Sequence, residues 1–491
     1  MKMVKSLLLG SAAGLVAVAG AQAADLPVKA KPVEYVKVCS AYGAGYFYIP
    51  GTDTCIKIGG YARFDTYVNS VGTFNPAISS NTGTYFNGPG AGTFAYPFKD
   101  GDDPDYLTRV RGVMDIDART QTDYGTLRSY VRFGIEWNSS SGAGVGPANN
   151  PYFERAFIQF SGFTFGYTQS FFDTGTSYML TTPYAGSNMW TTTLAYTAQF
   201  GNGFSATLSV EDAANRTTGV QMTGSTAQPV FNVSTSATGL TYTNYQGGQQ
   251  APDIVANLRY DGAWGSVQLS GALHQVVAEL PLYAGFYPGM GTTSQWGWAL
   301  GAYAEFKLPM LAAGDSLYLQ ANYEQGAVSY IGLSGTAQGR STSVGSVSLT
   351  QIGGSLFATG AFYTVADAVA DLTGQPSLTT GWAVQGQFRH YWTPGLRSAI
   401  YAGYLGYEVP TNIVAAQNFN MWQVGFNTIW SPVKNLDIGA EVLYSSIDGS
   451  NPLAQYAAID NNGLGKSKTI GSLSGGSTDI WSGGIRVQRN F

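Results

Sequence analysis

The sequence predicts an all-β fold: a transmembrane antiparallel β-barrel of sixteen strands with short turns at one end and long loops at the other. Three observations carry that reading. Charge is confined to one face of alternating segments, connections alternate between long and short, and aromatic residues are spaced to the height of a bilayer. The clearest case is the stretch TRVRGVMDIDART, residues 108–120, in which Arg109, Arg111, Asp115, Asp117 and Arg119 all stand at odd positions. Between them lie Val110, Gly112, Met114, Ile116 and Ala118. That is the period of a strand with its charge on one face.

Composition points the same way. Of the 491 residues, 11% are charged and 14% aromatic, where a soluble globular chain carries roughly 25% charge. A salt-laced surface is therefore not what meets the surroundings. Past the N-terminus no apolar run reaches the ~18 residues of a membrane-spanning helix, so a membrane would be crossed by strands.

Residues 1–23 read as a secretory signal peptide, with Lys2 and Lys5, an apolar core from Leu7 to Ala19, and Ala21-Gln22-Ala23 as the cleavage site. A mature chain beginning at Ala24 loses both lysines and moves from a formal charge of -5 to -7. This mild acidity gives no reason to expect nucleic acid as a partner. Cys39 and Cys55 are the only cysteines, and both follow the leader of an exported chain. A disulfide closing a loop of about 16 residues and worth ~3 kcal/mol is one reading; two unpaired thiols is the other. Residues 24–55 then form an N-terminal segment and 56–491 the barrel. With His274 and His390 the only histidines, a Cys/His zinc cluster is excluded, and no metal or other cofactor is expected.

Strands are expected at about 56–69, 106–120, 125–137, 152–161, 163–171, 190–200, 203–212, 253–261, 264–275, 295–308, 315–328, 379–393, 396–409, 419–432, 435–448 and 477–491. The connections alternate long and short along the chain. Short ones such as GNG (Gly201 to Gly203), DGAWG (Asp261 to Gly265), TPG (Thr393 to Gly395) and SPVKN (Ser431 to Asn435) carry turn chemistry. Long ones reach about 40 residues in 213–252 and about 50 in 329–378, lengths uncommon in a compact soluble domain. Short turns at one end and long loops at the other are the signature of an outer-membrane barrel. A further hairpin inside 329–378, from STSVGSVSLTQ and GGSLFATGAFYT, would raise the count to eighteen.

Aromatic spacing tests the membrane reading without counting strands. Trp422 and Trp430 share the face of Val424, Phe426 and Thr428, and eight residues of strand span roughly 27 Å. Tilted by about 40°, that approaches the height of the apolar band between two aromatic girdles. Leu127, Val131, Phe133, Ile135 and Trp137 form a similar face, as do Trp382, Val384, Phe388 and Trp392. The last strand ends on Phe491, in phase with Val487, Ile485 and Trp481.

The same alternation assigns an interior. Strand 106–120 turns Arg109, Arg111, Asp115, Asp117 and Arg119 inward. The first strand adds Lys57, Tyr61, Arg63, Asp65 and Tyr67, the third Arg128, Tyr130, Arg132 and Glu136, and the fourth Arg155. Guanidinium groups this close persist only in water or beside carboxylates, and a barrel of sixteen strands leaves an aqueous channel. A salt-bridged closed interior, plugged by residues 24–55 or by an inward loop, is the alternative. The segment 172–189, with Asp173 as its single acid, is the candidate constriction.

An enzyme would need a nucleophile within reach of a base, and neither His274 nor His390 is flanked by one. The stretch DNNGLGKS, 460–467, nearly copies a phosphate-binding loop, but Asp460 replaces its first glycine and no strand-to-helix context surrounds it.

CSAYGAGYFYIPGTDTCIKIGGYARFD, residues 39–65, resembles the N-terminal signature of the alphaproteobacterial general porin family, with TyrIleProGlyThrAspThrCys and IleGlyGlyTyr as its most specific runs. DYGTLRSYVRFGIEW, FERAFIQFSGFTFGYTQSFFD and the terminal GIRVQRNF are similar in style. The resemblance implies a homotrimeric porin of the Gram-negative outer membrane, in contact with lipid and lipopolysaccharide, that passes ions and small hydrophilic solutes by passive diffusion. It implies Phe491 as a signal to the barrel-assembly machinery, a third long loop narrowing the pore, and an arginine cluster matched by Arg109, Arg111, Arg128, Arg132 and Arg155. The loop departs from the family pattern in carrying only Asp173. A substrate-specific, sugar-type channel and a plugged barrel acting as a surface-interaction protein are the competing functions.

Overall fold

The structure is a computed structural model that describes residues 37–68, 106–139, 148–181, 183–222, 246–279, 292–333, 363–370, 375–410, 418–449 and 478–491, with a few strand pieces of two or three residues between them. The chain divides into two units, residues 1–55 and 56–491. In the first, Cys39 and Cys55 form a disulfide with Cα atoms 6.0 Å apart. The bridge is buried with Tyr46 and flanked by Tyr42 and Tyr48. Residues 1–23, read as a leader, lie outside the described residues.

The second unit is built on β1 (Cys55–Val68), β2 (Tyr106–Thr122), β3 (Gly125–Asn138), β4 (Ala148–Phe160), β5 (Phe163–Gln169), β6 (Trp190–Gly201), β7 (Phe204–Glu211) and β8 (Asp253–Gly262). It continues through β9 (Gly265–Glu279), β10 (Thr292–Lys307), β11 (Ser316–Gln325), β12 (Thr380–Thr393), β13 (Leu396–Glu408), β14 (Phe419–Val433), β15 (Leu436–Gly449) and β16 (Thr478–Asn490). Each strand pairs with its sequence neighbour, and β1 pairs with β16 from Tyr61↔Asn490 to Val68↔Gly483, closing the sheet into a sixteen-stranded antiparallel barrel. At the seam Gly60 has φ +154°, and a Cβ there would lie 2.1 Å from the Val113 carbonyl oxygen. Only glycine fits that approach, and the Gly60 carbonyl also accepts the Phe491 N–H at 3.1 Å.

The extra hairpin does not join the barrel. Ser348–Thr350 pairs with Tyr363–Val365 in a separate two-stranded sheet. β9 runs to Glu279, past the end that alternation gives it, because Val276 and Ala278 break the polar inner face. Both are buried against Val220, Ala368 and Ala370. Those partners belong to a small sheet in which Val220–Met222 runs parallel to Ala368–Ala370, itself paired with Pro376–Leu378. The two longest loops thus meet on the β9 wall.

The short turns all fall at one end. Ser161 and Gly162 both take positive φ, 50° and 86°, as a tight hairpin with matching twist requires. Around the outside, apolar residues alternate with buried ones, and rings gather at two heights. At the long-loop end Trp382 stacks on Tyr404 (5.2 Å between centroids), and Tyr444 makes tilted ring contacts with Trp422 (5.0 Å) and Trp481 (4.9 Å). At the short-turn end Phe204, Tyr260, Trp264 and Phe306 form a continuous chain of rings. These are the two girdles of a membrane-spanning barrel.

Candidate channel lining and constriction

The interior faces of β1–β4 carry the charge that alternation assigns to them, and it sorts by height. Near the long loops Arg109 is 1% exposed, with Nη2 2.6 Å from Asp65 Oδ2. The other Asp65 oxygen accepts from Arg486 Nε at 2.7 Å, so one buried carboxylate on β1 ties β2 to β16. Arg111 donates through Nε to Glu136 Oε2 at 2.8 Å and is also buried. Neither Arg109 nor Arg111 presents a free charge to the lumen. Near the short turns Asp117 is shared by Arg119 and Arg128, each 2.8 Å away.

At mid-height Arg132 and Arg155 stand directly opposite each other on β3 and β4. The ladder then shifts, so that Phe133 pairs with Phe153 and Glu154 is the extra residue of a β-bulge. Strict alternation sends Glu154 outward. The bulge brings it inside, 3.4 Å from Arg132 Nε and 3.8 Å from Arg155 Nε, with Asp115 4.0 Å from Arg132. Arg63 donates to Gln488 at 2.7 Å and lies over the Tyr61 ring. Side chains of Arg119, Arg128, Arg132 and Arg155 keep 25–34% exposure, against 1% for Arg109, so these four meet the water of the interior.

Segment 170–189 lies against the remaining wall, and side-chain amides and carboxylates fasten its backbone there. Asn257 of β8 donates to the Phe171 carbonyl (2.6 Å), and Gln268 of β9 to that of Phe172 (3.2 Å). The Tyr178 N–H donates to Gln387 of β12 (2.7 Å), and its carbonyl accepts from Asn427 of β14 (2.9 Å). Leu180 and Thr181 N–H donate to the two oxygens of Glu441 on β15 (2.6 and 2.8 Å), and Arg486 of β16 donates to the Leu180 carbonyl (3.2 Å). Tyr184 N–H reaches Gln423 (2.9 Å), and Gln320 of β11 reaches the Ser187 carbonyl (3.1 Å). An amide both donates and accepts, so a wall of Gln and Asn can hold either backbone group. Burial and a 2.7 Å hydrogen bond to Glu305 push the Tyr178 phenol above its ordinary pKa.

Beneath the segment Phe172 is fully buried among Tyr303, Tyr330 and Tyr401. Asp173 is buried too. Its Oδ2 accepts the Met189 N–H at 2.7 Å and lies 3.2 Å from Arg216 Nη2, so this carboxylate is spent inside the loop. The sequence reading missed Glu154, Glu441, Arg486 and the amide wall. A signal for the last was present: Gln385 and Gln387, and Gln423 and Asn427, recur on the inner phase of their strands.

A closed sixteen-stranded barrel with a segment laid along its inner wall narrows the assignment to one kind of protein, and the sequence decides it. Residues 25–482 match the porin subfamily. The chain belongs to that family. It is 33% identical over 319 residues to Porin Omp2b of Brucella suis biovar 1 and, equally, of Brucella abortus, spanning 62% of this chain and 75% of each relative. Among solved structures it is similar in fold to the outer membrane channel DcaP of Acinetobacter baumannii, with TM-score 0.54, 15% identity, and 90% of this chain and 99% of that one covered. This porin is an outer-membrane channel of a Gram-negative bacterium, not an enzyme.

In this porin His274, read as inward near the long loops, is fully buried on β9. Its Nδ1 is 2.7 Å from Asp253, which also accepts the Tyr330 hydroxyl at 2.6 Å. Its Nε2 lies 3.8 Å from Asp367, whose carboxylate accepts the Thr218 and Val328 N–H groups. One cluster therefore holds parts of both long loops on the wall. A His274→Ala variant is expected to expose 363–378 to limited proteolysis well before the barrel is cut, whereas an unchanged digestion pattern would show that the small sheet holds without it.

Proposed function

We propose that this porin is a water-filled diffusion channel for ions and small hydrophilic solutes, conducting between segment 170–189 and the arginine-bearing wall of β1–β4, with a preference for anions. The observation that carries this is the one-sided division of the interior. The segment's backbone is bonded to strands from β8 to β16, while Arg119, Arg128, Arg132 and Arg155 remain partly exposed across from it. On the inward faces of that wall and β16, eight guanidinium groups (Arg63, Arg109, Arg111, Arg119, Arg128, Arg132, Arg155, Arg486) stand with five carboxylates (Asp65, Asp115, Asp117, Glu136, Glu154) among the described side chains. A positive excess along a narrow aqueous path favours anions whatever the net charge of the chain. The sugar-type reading is disfavoured because Tyr303, Tyr318, Tyr330 and Tyr401, which might have formed an aromatic track, are at most 2% exposed. The working assembly is a homotrimer in lipid and lipopolysaccharide, exported by residues 1–23 and directed to the barrel-assembly machinery by Phe491.

The test is single-insertion conductance in a planar bilayer under a salt gradient. Ohmic steps with an anion-directed reversal potential are expected, and Arg132→Ala with Arg155→Ala should move that potential toward cations. Arg111 is a poorer target, because its guanidinium is already committed to Glu136. An unmoved potential would remove the wall from selectivity, and insertion without conductance would favour a plugged, surface-interacting barrel.

A further inference from the structure

We infer that the lumen carries a stacking subsite for one planar aromatic ring of a passing solute, formed by the face of Phe157 that lies over Gly166. The inference deepens the diffusion-channel reading and rests on it for access to the lumen. Among the described side chains on the inner faces of β1–β4, Phe157 and Val113 are the only pure hydrocarbons, and Val113 is buried. Phe157 is only partly buried. An apolar ring left in a water-filled passage forgoes the burial that ordinarily stabilises it. What stands on either side of the ring shows where a partner fits.

Phe157 stands opposite Tyr130 of β3, and the two rings stack with centroids 5.2 Å apart and planes 26° from parallel. One face of Phe157 is therefore turned toward β3 and the other toward β5. Directly opposite on β5 is Gly166, at φ +129°, where a Cβ would lie 2.3 Å from the Ala156 carbonyl oxygen. Only glycine fits so close an approach, so no side chain stands at that rung to cover the second face. The next residue across is Thr193 of β6, which is buried with its hydroxyl hydrogen-bonded to Ser209. Two strand spacings, about 9.6 Å, separate Phe157 from Thr193. That leaves room for one ring at the roughly 4.5–7 Å centroid distance of aromatic pairs. The Arg128 guanidinium, bonded to Asp117 and Gln159, lies 5.3 Å from the Tyr130 centroid and 5.3 Å from that of Phe157. Being equidistant, it borders the stacked pair and does not cap the open Phe157 face. A single rung makes one station, not a track, so a ring is slowed in transit and the passage of other solutes does not depend on it.

The experiment measures chloride current through single channels as benzamide, a neutral planar ring, is added, with cyclohexanecarboxamide as its saturated counterpart and uridine as a nucleobase probe. Saturable block by the aromatic probes is expected, and their relative strength assigns the preferred ring as carbocyclic or nucleobase. Cyclohexanecarboxamide, which has no π face, should need a concentration at least about fivefold higher than benzamide. Phe157→Leu keeps an apolar side chain and should raise the half-blocking concentration of benzamide about fivefold, while Phe157→Trp, with a larger face, should lower it. Tyr323→Leu, which removes a ring exposed on the outside of the barrel, should leave it unchanged. Saturation-transfer NMR of benzamide with the folded protein in detergent reads the same contact even if the channel is shut. Equal block by benzamide and its saturated counterpart, or block and transfer that are equal in wild type and both Phe157 variants, would overturn the subsite and leave Phe157 as packing for Arg128. Ohmic steps with no saturable block would sink this inference and spare the channel reading. Saturable ring binding in a barrel that inserts without conducting would do the opposite.

Discussion

Asp65→Ala is expected to be the most destabilising single change in the barrel wall. The carboxylate is fully buried and holds Arg109 Nη2 at 2.6 Å, Arg486 Nε at 2.7 Å and the Tyr67 hydroxyl at 2.8 Å. It therefore links β2, β1 and β16 at the seam where the last strand meets the first. Removing one member of a buried ion pair costs about 3–5 kcal/mol, because the partner is left charged and unpaired, and here two partners lose their counterion. Glu136, 3.9 Å from Arg109, is too distant to replace it. Unfolding in denaturant, or the temperature at which the folded band is lost on a gel, should fall steeply for Asp65→Ala. Asp65→Asn should fall less, because it keeps an acceptor without the charge. Wild-type stability in Asp65→Ala would mean that the backbone ladder from Tyr61↔Asn490 to Val68↔Gly483 closes the barrel unaided.

The seam also shows how far the sequence could be read. Alternation put Asp65, Tyr67, Arg109 and Arg111 on one face, and they share it. It could not say that Asp65 would neutralise Arg109 and Arg486 together, since β16 is more than 400 residues along the chain from β1. Strand number and order were legible because a barrel wall sees lipid on one side and water on the other, which imposes period two nearly everywhere. The reading failed where that contrast is interrupted. β9 continues past its polar alternation because Val276 and Ala278 face loop residues rather than water. Glu154 enters the lumen through a bulge, which shifts phase by one residue and leaves no compositional mark. Segment 172–189 was read as the candidate constriction, but its fastening to the wall opposite the arginines rests on amides from distant strands. Its one acid, Asp173, was expected to face the pore and instead joins Met189 N–H and Arg216.

Glu441→Ala is expected to loosen the constriction itself. Its two oxygens accept the Leu180 and Thr181 N–H groups, and Asn427 donates to it at 3.0 Å. Losing a charged acceptor strands two buried backbone donors, each costing about 1–3 kcal/mol, so a loss on the order of 3 kcal/mol should appear in unfolding. The segment stays tethered on either side, by Asn257 and Gln268 at Phe171 and Phe172 and by Gln320 at Ser187. Only its middle is freed. Single-channel current should therefore become larger and noisier, while Glu441→Gln, which keeps one acceptor oxygen, should fall between the two. Lower stability with unchanged conductance would mean that residues 178–181 do not border the conducting path. The same geometry accounts for the one-sided charge of the interior. Glu305, Glu324 and Glu441 are hydrogen-bonded respectively to the Tyr178 hydroxyl, the Ala327 N–H and the segment's backbone. On this wall carboxylates hold loops in place, while Arg119, Arg128, Arg132 and Arg155 across from them keep 25–34% side-chain exposure.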